Sequence, residues 1–377
     1  MLCDIYHILK SIISIACSVI HHALFFMKRD QEQEFGSLLV KFSNLIGLST
    51  FVTILLVVIV LVLRVTPIHT FLPDLSQVFT DSTASQPAVP EVEDDDMWKA
   101  PDLASLPATP EGDQIRYGRE LVAHTAEYLG PQGSVLHISN GLNCQNCHLD
   151  AGTKTFGNNY SRVATTYPKV RARSGMEEDA VKRVNDCFER SLNGQPLKAD
   201  SKEMQAMVAY INWVGKDVTK DETPKGSGLM DIELLDRAAS PELGKAIYAQ
   251  KCQVCHGADG QGIKAEGSAE YTYPPLWGEH SYNDGAGLYR ISNFAKYVKA
   301  NMPLGATYDK PQLTDEEAWD LAAYVNSMPR PKKDIGKDWP DISKKPFDHP
   351  FGPYTDPYSE KQHKYGPYQE IIAAQKK

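Results

Sequence analysis

The sequence predicts an all-α fold of two tandem helical domains, with an N-terminal transmembrane anchor before them and an extended tail rich in proline and aromatic residues after them. Three observations predict this fold. A five-residue cysteine–histidine motif occurs twice, a pair of amphipathic helices flanks each copy, and an uncharged run lies near the N-terminus. At 377 residues the chain is long enough for two or three domains.

The uncharged run predicts a membrane anchor over residues 45–65. Leu45 to Leu63 is 19 residues long, which is enough for an α-helix to cross a bilayer. Basic residues precede this run, whereas no lysine or arginine occurs between Arg64 and Lys99. This asymmetry predicts that residues 1–44 are a cytoplasmic or hydrophobic region and that the bulk of the chain lies outside the cytoplasm.

The first hundred residues leave two points open. A weaker apolar stretch from Ile5 to Phe26 is either a second span or a segment upstream of a true start at Met27. No small-residue cleavage site follows the apolar run at once, which favours an uncleaved anchor over a removed signal peptide.

Residues 66–97 are rich in Pro, Ser, Thr and acidic side chains, a composition typical of a flexible tether.

The repeated motif predicts two covalently bound haem c groups. In a Cys-x-x-Cys-His motif the two thiols form thioethers with the haem and the histidine binds the iron. The two copies are formed by Cys144, Cys147 and His148, and by Cys252, Cys255 and His256. Two copies in one exported chain indicate two domains of the cytochrome c type.

Helix pairs around the motifs predict the domain bounds, 98–222 for the first domain and 223–330 for the second. Apolar spacing indicates an opening and a closing helix in each. The predicted pairs are Arg116–Leu129 with Lys202–Val214, and Pro241–Lys251 with Thr314–Ser327. Each opening helix carries a glycine, Gly118 or Gly244, where the missing side chain would let the closing helix approach closely.

The tail and the overall charge complete the description. Residues 331–377 are dense in proline and aromatic side chains, too apolar for a disordered tail, and we expect them to wrap over the domains in extended form. The formal net charge is -9, whereas a nucleic-acid-binding protein would present a basic face. We therefore expect no nucleic-acid partner.

The second haem has a clear candidate for its distal ligand. Met302 precedes Pro303 in the segment before the closing helix, which is the usual place of the methionine that raises the potential of the iron. Met328 also precedes a proline, but it follows the closing helix. We therefore favour Met302.

The first domain has no equivalent loop, and its distal ligand stays open. The candidates are Met176, Met204, Met207, His124, His137 and Cys187. The two methionines on the closing helix are better explained as core residues. Cys187 is either a metal ligand or nucleophile, because nearby cations would stabilise its thiolate, or an inert buried thiol. The four arginines near it form either an anion site or scattered surface charges: Arg171, Arg173, Arg183 and Arg190.

Longer runs of residues resemble the dihaem thiosulfate dehydrogenases. These runs are NCQNCHLDAGTKTFGNNY from Asn143, RARSG from Arg171, NDCFERSLNG from Asn185, YPPLWG from Tyr273, GAGLYR from Gly285 and NMPLG from Asn301. The resemblance covers the chain from about Trp98 to the C-terminus and leaves out the anchor and the tether.

The resemblance implies an oxidoreductase that couples two thiosulfates to tetrathionate, or catalyses the reverse reaction. It implies haem ligation by His148 and Cys187 in the first domain, and by His256 and Met302 in the second. Cys187 would leave the iron to carry a sulfur intermediate. Arg173 and Arg183 match basic positions of the family near the active haem.

One position departs from part of the family. Some members carry a lysine before the distal methionine and switch ligands on reduction, whereas this chain has Asn301. Asparagine is a poor haem ligand, so we expect no switch. The direction of the reaction stays open for the same reason.

The expected partners are thiosulfate or tetrathionate and a soluble or membrane-bound cytochrome that accepts the electrons. We expect the protein on the periplasmic side of the bacterial inner membrane, attached through its N-terminal helix. An alternative function is a membrane-anchored dihaem electron carrier without substrate chemistry, which would give Cys187 no task. A sulfur-carrying subunit of the Sox type is a further alternative, and it would need a partner carrier protein.

Overall fold

Helices build the fold of residues 96–376, the part of the chain that the computed structural model describes. The α-helices are α1 (Pro110–Ala123), α2 (Thr125–Leu129), α3 (Leu149–Gly152), α4 (Val163–Thr166), α5 (Ala180–Arg190), α6 (Lys202–Val214), α7 (Pro241–Lys251), α8 (Gln253–His256), α9 (Ile291–Asn301), α10 (Asp315–Ser327), α11 (Glu360–Tyr365) and α12 (Gln369–Gln375). Four short 3-10 helices are Leu103–Ser105, Cys144–Asn146, Gly287–Tyr289 and Ile342–Lys344.

Two small antiparallel hairpins accompany the helices. Strand β1 (Lys169–Val170) pairs with β2 (Glu177–Glu178), and β3 (Ile263–Lys264) pairs with β4 (Tyr271–Tyr273). The helix-rich fold was predicted, whereas the hairpins were not. The predicted anchor and all but the end of the predicted tether lie outside the described residues. No helix within residues 96–376 is long and apolar enough to span a membrane.

The described residues contain two hydrophobic cores, one around each motif. Leu121 from α1, Phe188 from α5, and Met204 and Met207 from α6 are fully buried in the first core. The second core is built on α7, α9 and α10 and includes Trp319. The prediction that Met204 and Met207 are core residues is therefore confirmed.

Each core is organised by a crossing of its opening and closing helices at a glycine. A Cβ atom on Gly118 would lie 2.0 Å from the carbonyl oxygen of Ala206 in α6. A Cβ atom on Gly244 would lie 1.9 Å from the carbonyl oxygen of Asp320 in α10. Because only a residue without a side chain permits such an approach, both glycines have the role that the sequence predicts.

The observed helix bounds agree with the prediction except at the first helix. Helices α6 and α7 have the predicted bounds, and Thr314 caps α10 in a capping box with Glu317. The first opening helix instead begins at Pro110, after the Thr109 N-cap, and ends before His124. The break has a tertiary cause, because the Ala126 amide donates to the Asn143 side chain at 2.8 Å in front of the first motif.

The tail is only partly extended, so the prediction of an extended tail is wrong for the segment that contains α11 and α12. These helices form because the tail contributes to the second core, where Ile371 is fully buried and the Tyr368 ring lies 5.6 Å from the Trp319 ring. The buried carboxylate of Asp348 accepts hydrogen bonds from Arg290 Nε at 2.7 Å and from the Ser292 amide at 3.3 Å, and thereby anchors the tail to the start of α9.

Direct hydrogen bonds connect the two predicted domains. The Tyr297 hydroxyl on α9 donates to the Asn146 carbonyl inside the first motif at 2.8 Å. The Asn301 amide donates to the Phe156 carbonyl at 3.0 Å. These bonds place the first Cys-x-x-Cys-His motif directly beside the second core.

We expect Gly244→Ala to lower the free energy of unfolding by roughly 1–3 kcal/mol, because the added methyl group would meet the Asp320 carbonyl. The measurement is thermal unfolding of the haem-loaded protein by circular dichroism. Gly287→Ala is the matched control, because a Cβ atom there has no neighbour within 4 Å. Equal melting temperatures for the two variants would contradict the close crossing.

Candidate functional site

Each Cys-x-x-Cys-His motif lines an internal cavity. The first cavity has a volume of about 340 Å³ and is lined by Cys144, Cys147 and His148, with Cys187 and Arg183 also in its wall. The sequence separates Cys187 from the motif by almost forty residues, and the fold brings them to one space.

The second cavity has a volume of about 360 Å³ and is lined by Cys252, Cys255 and His256. Met302, at the end of α9, also lines it, whereas Met328 does not. The fold therefore places one further sulfur donor in each cavity that holds a motif histidine, a thiol in the first cavity and a thioether in the second.

Backbone carbonyls orient both motif histidines. His148 Nδ1 lies 2.5 Å from the Asn158 carbonyl oxygen, and His256 Nδ1 lies 2.8 Å from that of Pro274. A ring whose Nδ1–H donates to a carbonyl keeps Nε2 free as a metal ligand. Sequence reasoning missed Asn158 and Pro274, because a main-chain acceptor leaves no side-chain signal.

Helix α5 carries both Cys187 and Arg183. The two residues are one helical turn apart and share a face, and Arg183 Nη1 lies 3.1 Å from Cys187 Sγ. Asp179 caps the helix by accepting a hydrogen bond from the Lys182 amide at 2.8 Å. Local helix geometry thus places a cation next to a thiol, and both residues line the first cavity.

The environment of Cys187 favours its thiolate. Burial would raise the pKa of this thiol, but the Arg183 charge and a hydrogen bond with His148 outweigh it and lower the pKa to about 7. Burial raises the pKa values of Cys144 and Cys147 to about 12. Among the thiols that line the first cavity, Cys187, which faces His148, is therefore distinct in having a lowered pKa.

The other candidates from the sequence have different surroundings. Met207 lines the first cavity as a core residue of α6. Met176 and His137 are exposed, and His124 Nδ1 lies 3.1 Å from a carboxylate oxygen of Glu270. None of these three lines the first cavity.

Arg173 lies outside the cavity wall, unlike Arg183. Its guanidinium lies 5.9 Å from the ring of Trp339 in the tail. Burial and the charges of Arg190 and Arg183 lower the pKa of Arg173 to about 10. The structure therefore brings Arg183 to the thiol and leaves Arg173 as a neighbouring charge.

The tail contacts the segments that carry Arg190 and Arg173. Asp338 lies 2.8 Å from Arg190 Nη2 at the end of α5, and both side chains are nearly buried. The Trp339 amide donates to the Arg173 carbonyl at 2.7 Å. This contact between the tail and the first domain was not predicted.

Comparison with known proteins identifies the family. A family model for cytochrome c matches residues 241–329, and a model for the SoxA/TsdA cytochrome c domain matches residues 136–219. A thiosulfate dehydrogenase from Psychrobacter arcticus is 36% identical over 264 residues, which are 69% of this chain and 74% of the relative. The chain belongs to the thiosulfate dehydrogenase family.

Further relatives agree with this family membership. A thiosulfate dehydrogenase from Allochromatium vinosum is 37% identical over 236 residues, which are 61% of this chain and 83% of the relative. The solved thiosulfate dehydrogenase (TsdBA) from Marichromatium purpuratum superimposes with a TM-score of 0.58 at 32% identity. That match covers 63% of this chain and spans half, 50%, of the solved chain. The predictions of the family and of an enzyme are confirmed.

Two cytochrome c domains in a thiosulfate dehydrogenase imply two covalently bound haem c groups, so the predicted cofactors are confirmed. The residues present fit these groups. Each cavity offers two thiols for attachment, a histidine whose ring is oriented by a carbonyl, and a sulfur donor.

The two cavities share a wall. Leu142, Asn143 and Cys147 line both. A thiol of the first motif therefore borders the space around the second motif. This arrangement suits a short path for electrons between two cofactors.

Asp338→Asn should destabilise the haem-loaded protein by about 3 kcal/mol, because it leaves the Arg190 charge buried without its partner. Thermal unfolding measures this loss. Asp334→Asn in the same tail is the control, with an expected change within about 0.5 kcal/mol, since that side chain is exposed. Equal losses in both variants would argue against a stabilising role of the ion pair.

Proposed function

We propose that this protein oxidises thiosulfate in the first cavity, coupling two molecules to tetrathionate, and that the electrons leave through the second domain. The observation that carries the proposal is the position of Cys187. Its thiol faces His148 and lies 3.1 Å from the Arg183 guanidinium, in a cavity that also contains the motif thiols. A carrier without substrate would need neither this thiol nor this charge.

We assign the protein ligands of the two haems from the lining of the cavities. His148 and Cys187 would hold the first iron, and His256 and Met302 the second. When bound, the two haems supply two one-electron acceptors, the second with a potential raised by its thioether ligand. The motif cysteines would fix both haems covalently.

In the first step the sulfur of Cys187 forms a covalent bond with the substrate. A bond forms between its thiolate Sγ and the sulfane sulfur of one thiosulfate, giving a Cys187–S–S–SO₃⁻ adduct, and the two electrons released would be taken up one by each haem. The thiolate and the dianion repel each other, and Arg183 offsets this repulsion from within hydrogen-bonding distance of the sulfur. Arg173 adds positive charge from outside the cavity wall.

In the second step another thiosulfate attacks the sulfane sulfur of the adduct. The new sulfur–sulfur bond forms tetrathionate, the bond to Cys187 Sγ breaks, and the cysteine leaves as a thiolate. No electrons are released in this step. The low pKa of Cys187, about 7, suits a leaving group that must exist as an anion.

Asn301 supports a constant ligand set at the second haem. Its amide is engaged by the Phe156 and Tyr297 carbonyls, both at 3.0 Å. Met302, the next residue, has no lysine competitor at this position. We propose a cytochrome as electron acceptor and a location on the periplasmic side of the inner membrane, with residues 45–65 as the anchor.

Cys187→Gly should lower thiosulfate turnover by roughly a thousandfold or more, because the covalent step loses its sulfur. The assay uses haem-loaded protein with thiosulfate and ferricyanide. Dithionite reduction of the second haem serves as the control and should persist. Unchanged haem spectra together with unchanged turnover would contradict the role of Cys187, and a wild type without thiosulfate turnover would favour the electron-carrier alternative.

Met302→His should lower the midpoint potential of the second haem, because a neutral thioether favours reduced iron more than an imidazole does. Spectroelectrochemical titration resolves the two haems. Met328→Leu is the control, since Met328 lies outside the second cavity. A shift in the Met328 variant without a shift in the Met302 variant would reverse the assignment.

A further inference from the structure

Arg162 is a cation of the first cavity whose side chain has no hydrogen-bond or ion-pair partner within residues 96–376. It lines the cavity, and its Nε is buried without a hydrogen-bond acceptor among the described residues. A buried guanidinium N–H without an acceptor is costly, so such a group points to an acceptor from outside the chain.

Three neighbouring arginines differ from Arg162 because each has an acceptor, whereas Arg173, outside the cavity wall, lies over the Trp339 ring. Arg183 donates to Cys187 Sγ. Arg171 donates to the Tyr167 hydroxyl at 2.8 Å and lies 3.6 Å from Glu178, and Arg190 pairs with Asp338. Arg162 is therefore the cavity-lining arginine whose charge the described residues leave uncompensated.

Lys169, an exposed residue that does not itself line the cavity, adds a second cation next to Tyr167 of the cavity wall. Its Nζ lies 5.7 Å from the ring of Tyr167, which lines the cavity. Burial and the charges of Arg171, Arg162 and Arg183 lower the pKa of Lys169, with Glu178 acting in the opposite direction. Several cations are thus held close together against their mutual repulsion, an arrangement that favours a multiply charged anion.

We propose that Arg162, assisted by Lys169, forms a second anion subsite of the first cavity, which holds the thiosulfate that attacks the Cys187 adduct. The inference rests on the proposed function and extends it. Arg183 is committed to the sulfur of Cys187, so the second dianion needs cations of its own. Its sulfane sulfur would bond to the sulfane sulfur of the adduct while the Cys187 Sγ–S bond breaks.

One other anion has the same chemistry, namely a carboxylate of the first haem. The two sources differ in what they control. A guanidinium that binds a haem carboxylate changes the midpoint potential of that haem and leaves substrate binding unaltered. A guanidinium that binds the second thiosulfate changes KM and the lifetime of the adduct.

The experiment compares Arg162→Gln, Arg162→Lys and Lys169→Gln in the full-length, haem-loaded protein. The control is Arg119→Gln, whose guanidinium lies 2.9 Å from the Glu120 carboxylate and outside the first cavity. Mass spectrometry follows the Cys187 adduct after one equivalent of thiosulfate, steady-state assays give KM, and spectroelectrochemistry gives the potentials.

We expect Arg162→Gln to form the adduct as the wild type does but to raise KM for thiosulfate roughly tenfold, the loss expected for one charge-assisted hydrogen bond. The adduct should persist longer, and Arg162→Lys should restore part of the loss. A KM and an adduct lifetime equal to those of the control would overturn the subsite. So would a shifted potential with unchanged KM, which identifies the haem carboxylate as the partner.

A second measurement keeps the test decisive if Arg162→Gln does not take up haem. Sulfate, an unreactive dianion, should inhibit the wild type competitively, and Lys169→Gln should weaken that inhibition. Equal inhibition of both proteins would overturn the subsite. Absence of any adduct on wild-type Cys187 would instead refute the proposed function, so that the two failures are distinguishable.

Discussion

The close crossing of opening and closing helices at a glycine is the constraint on which the rest of the structure depends. At Gly118 and Gly244 the backbones approach so closely that a methyl group would overlap a carbonyl oxygen. Each crossing holds the opening helix, which precedes a motif, against the closing helix of the same core. The two cavities form because the motif segments and the later helices close around the space beside each crossing.

The two cavities have similar frameworks but different sulfur donors. Both motif histidines are oriented by a backbone carbonyl, and each shares its cavity with a sulfur donor from another segment. The second sulfur is the neutral thioether of Met302, whereas the first is a thiol next to a guanidinium. In the proposed function, this single difference, together with the cations around the first cavity, would separate a relay of electrons from a site for anionic sulfur compounds. Cys147 lines both cavities and so keeps the two sites adjacent.

The tail joins these parts into one structure. Asp348 anchors it to α9, and Ile371 is buried in the second core. Farther upstream, Asp338 and Trp339 reach the first domain at Arg190 and Arg173. The tail therefore contacts the second core and also the elements that carry the arginines of the first cavity. These packing contacts explain why the tail is rich in aromatic side chains.

The sequence by itself determined the cofactors, the helix pairs and the family. These features depend on local patterns: a motif of five consecutive residues, a glycine in each opening helix and the capping box at Thr314. Such patterns can be recognised without knowledge of the tertiary structure. The pairing of Cys187 with Arg183 is also local, because the residues are one turn apart. Tertiary structure decided the rest. The break at His124, the carbonyls of Asn158 and Pro274 and the helical end of the tail depend on contacts between separate segments of the chain. So does the position of Arg162 in the cavity wall, where its Nε has no acceptor among the described residues. No local pattern encodes such contacts.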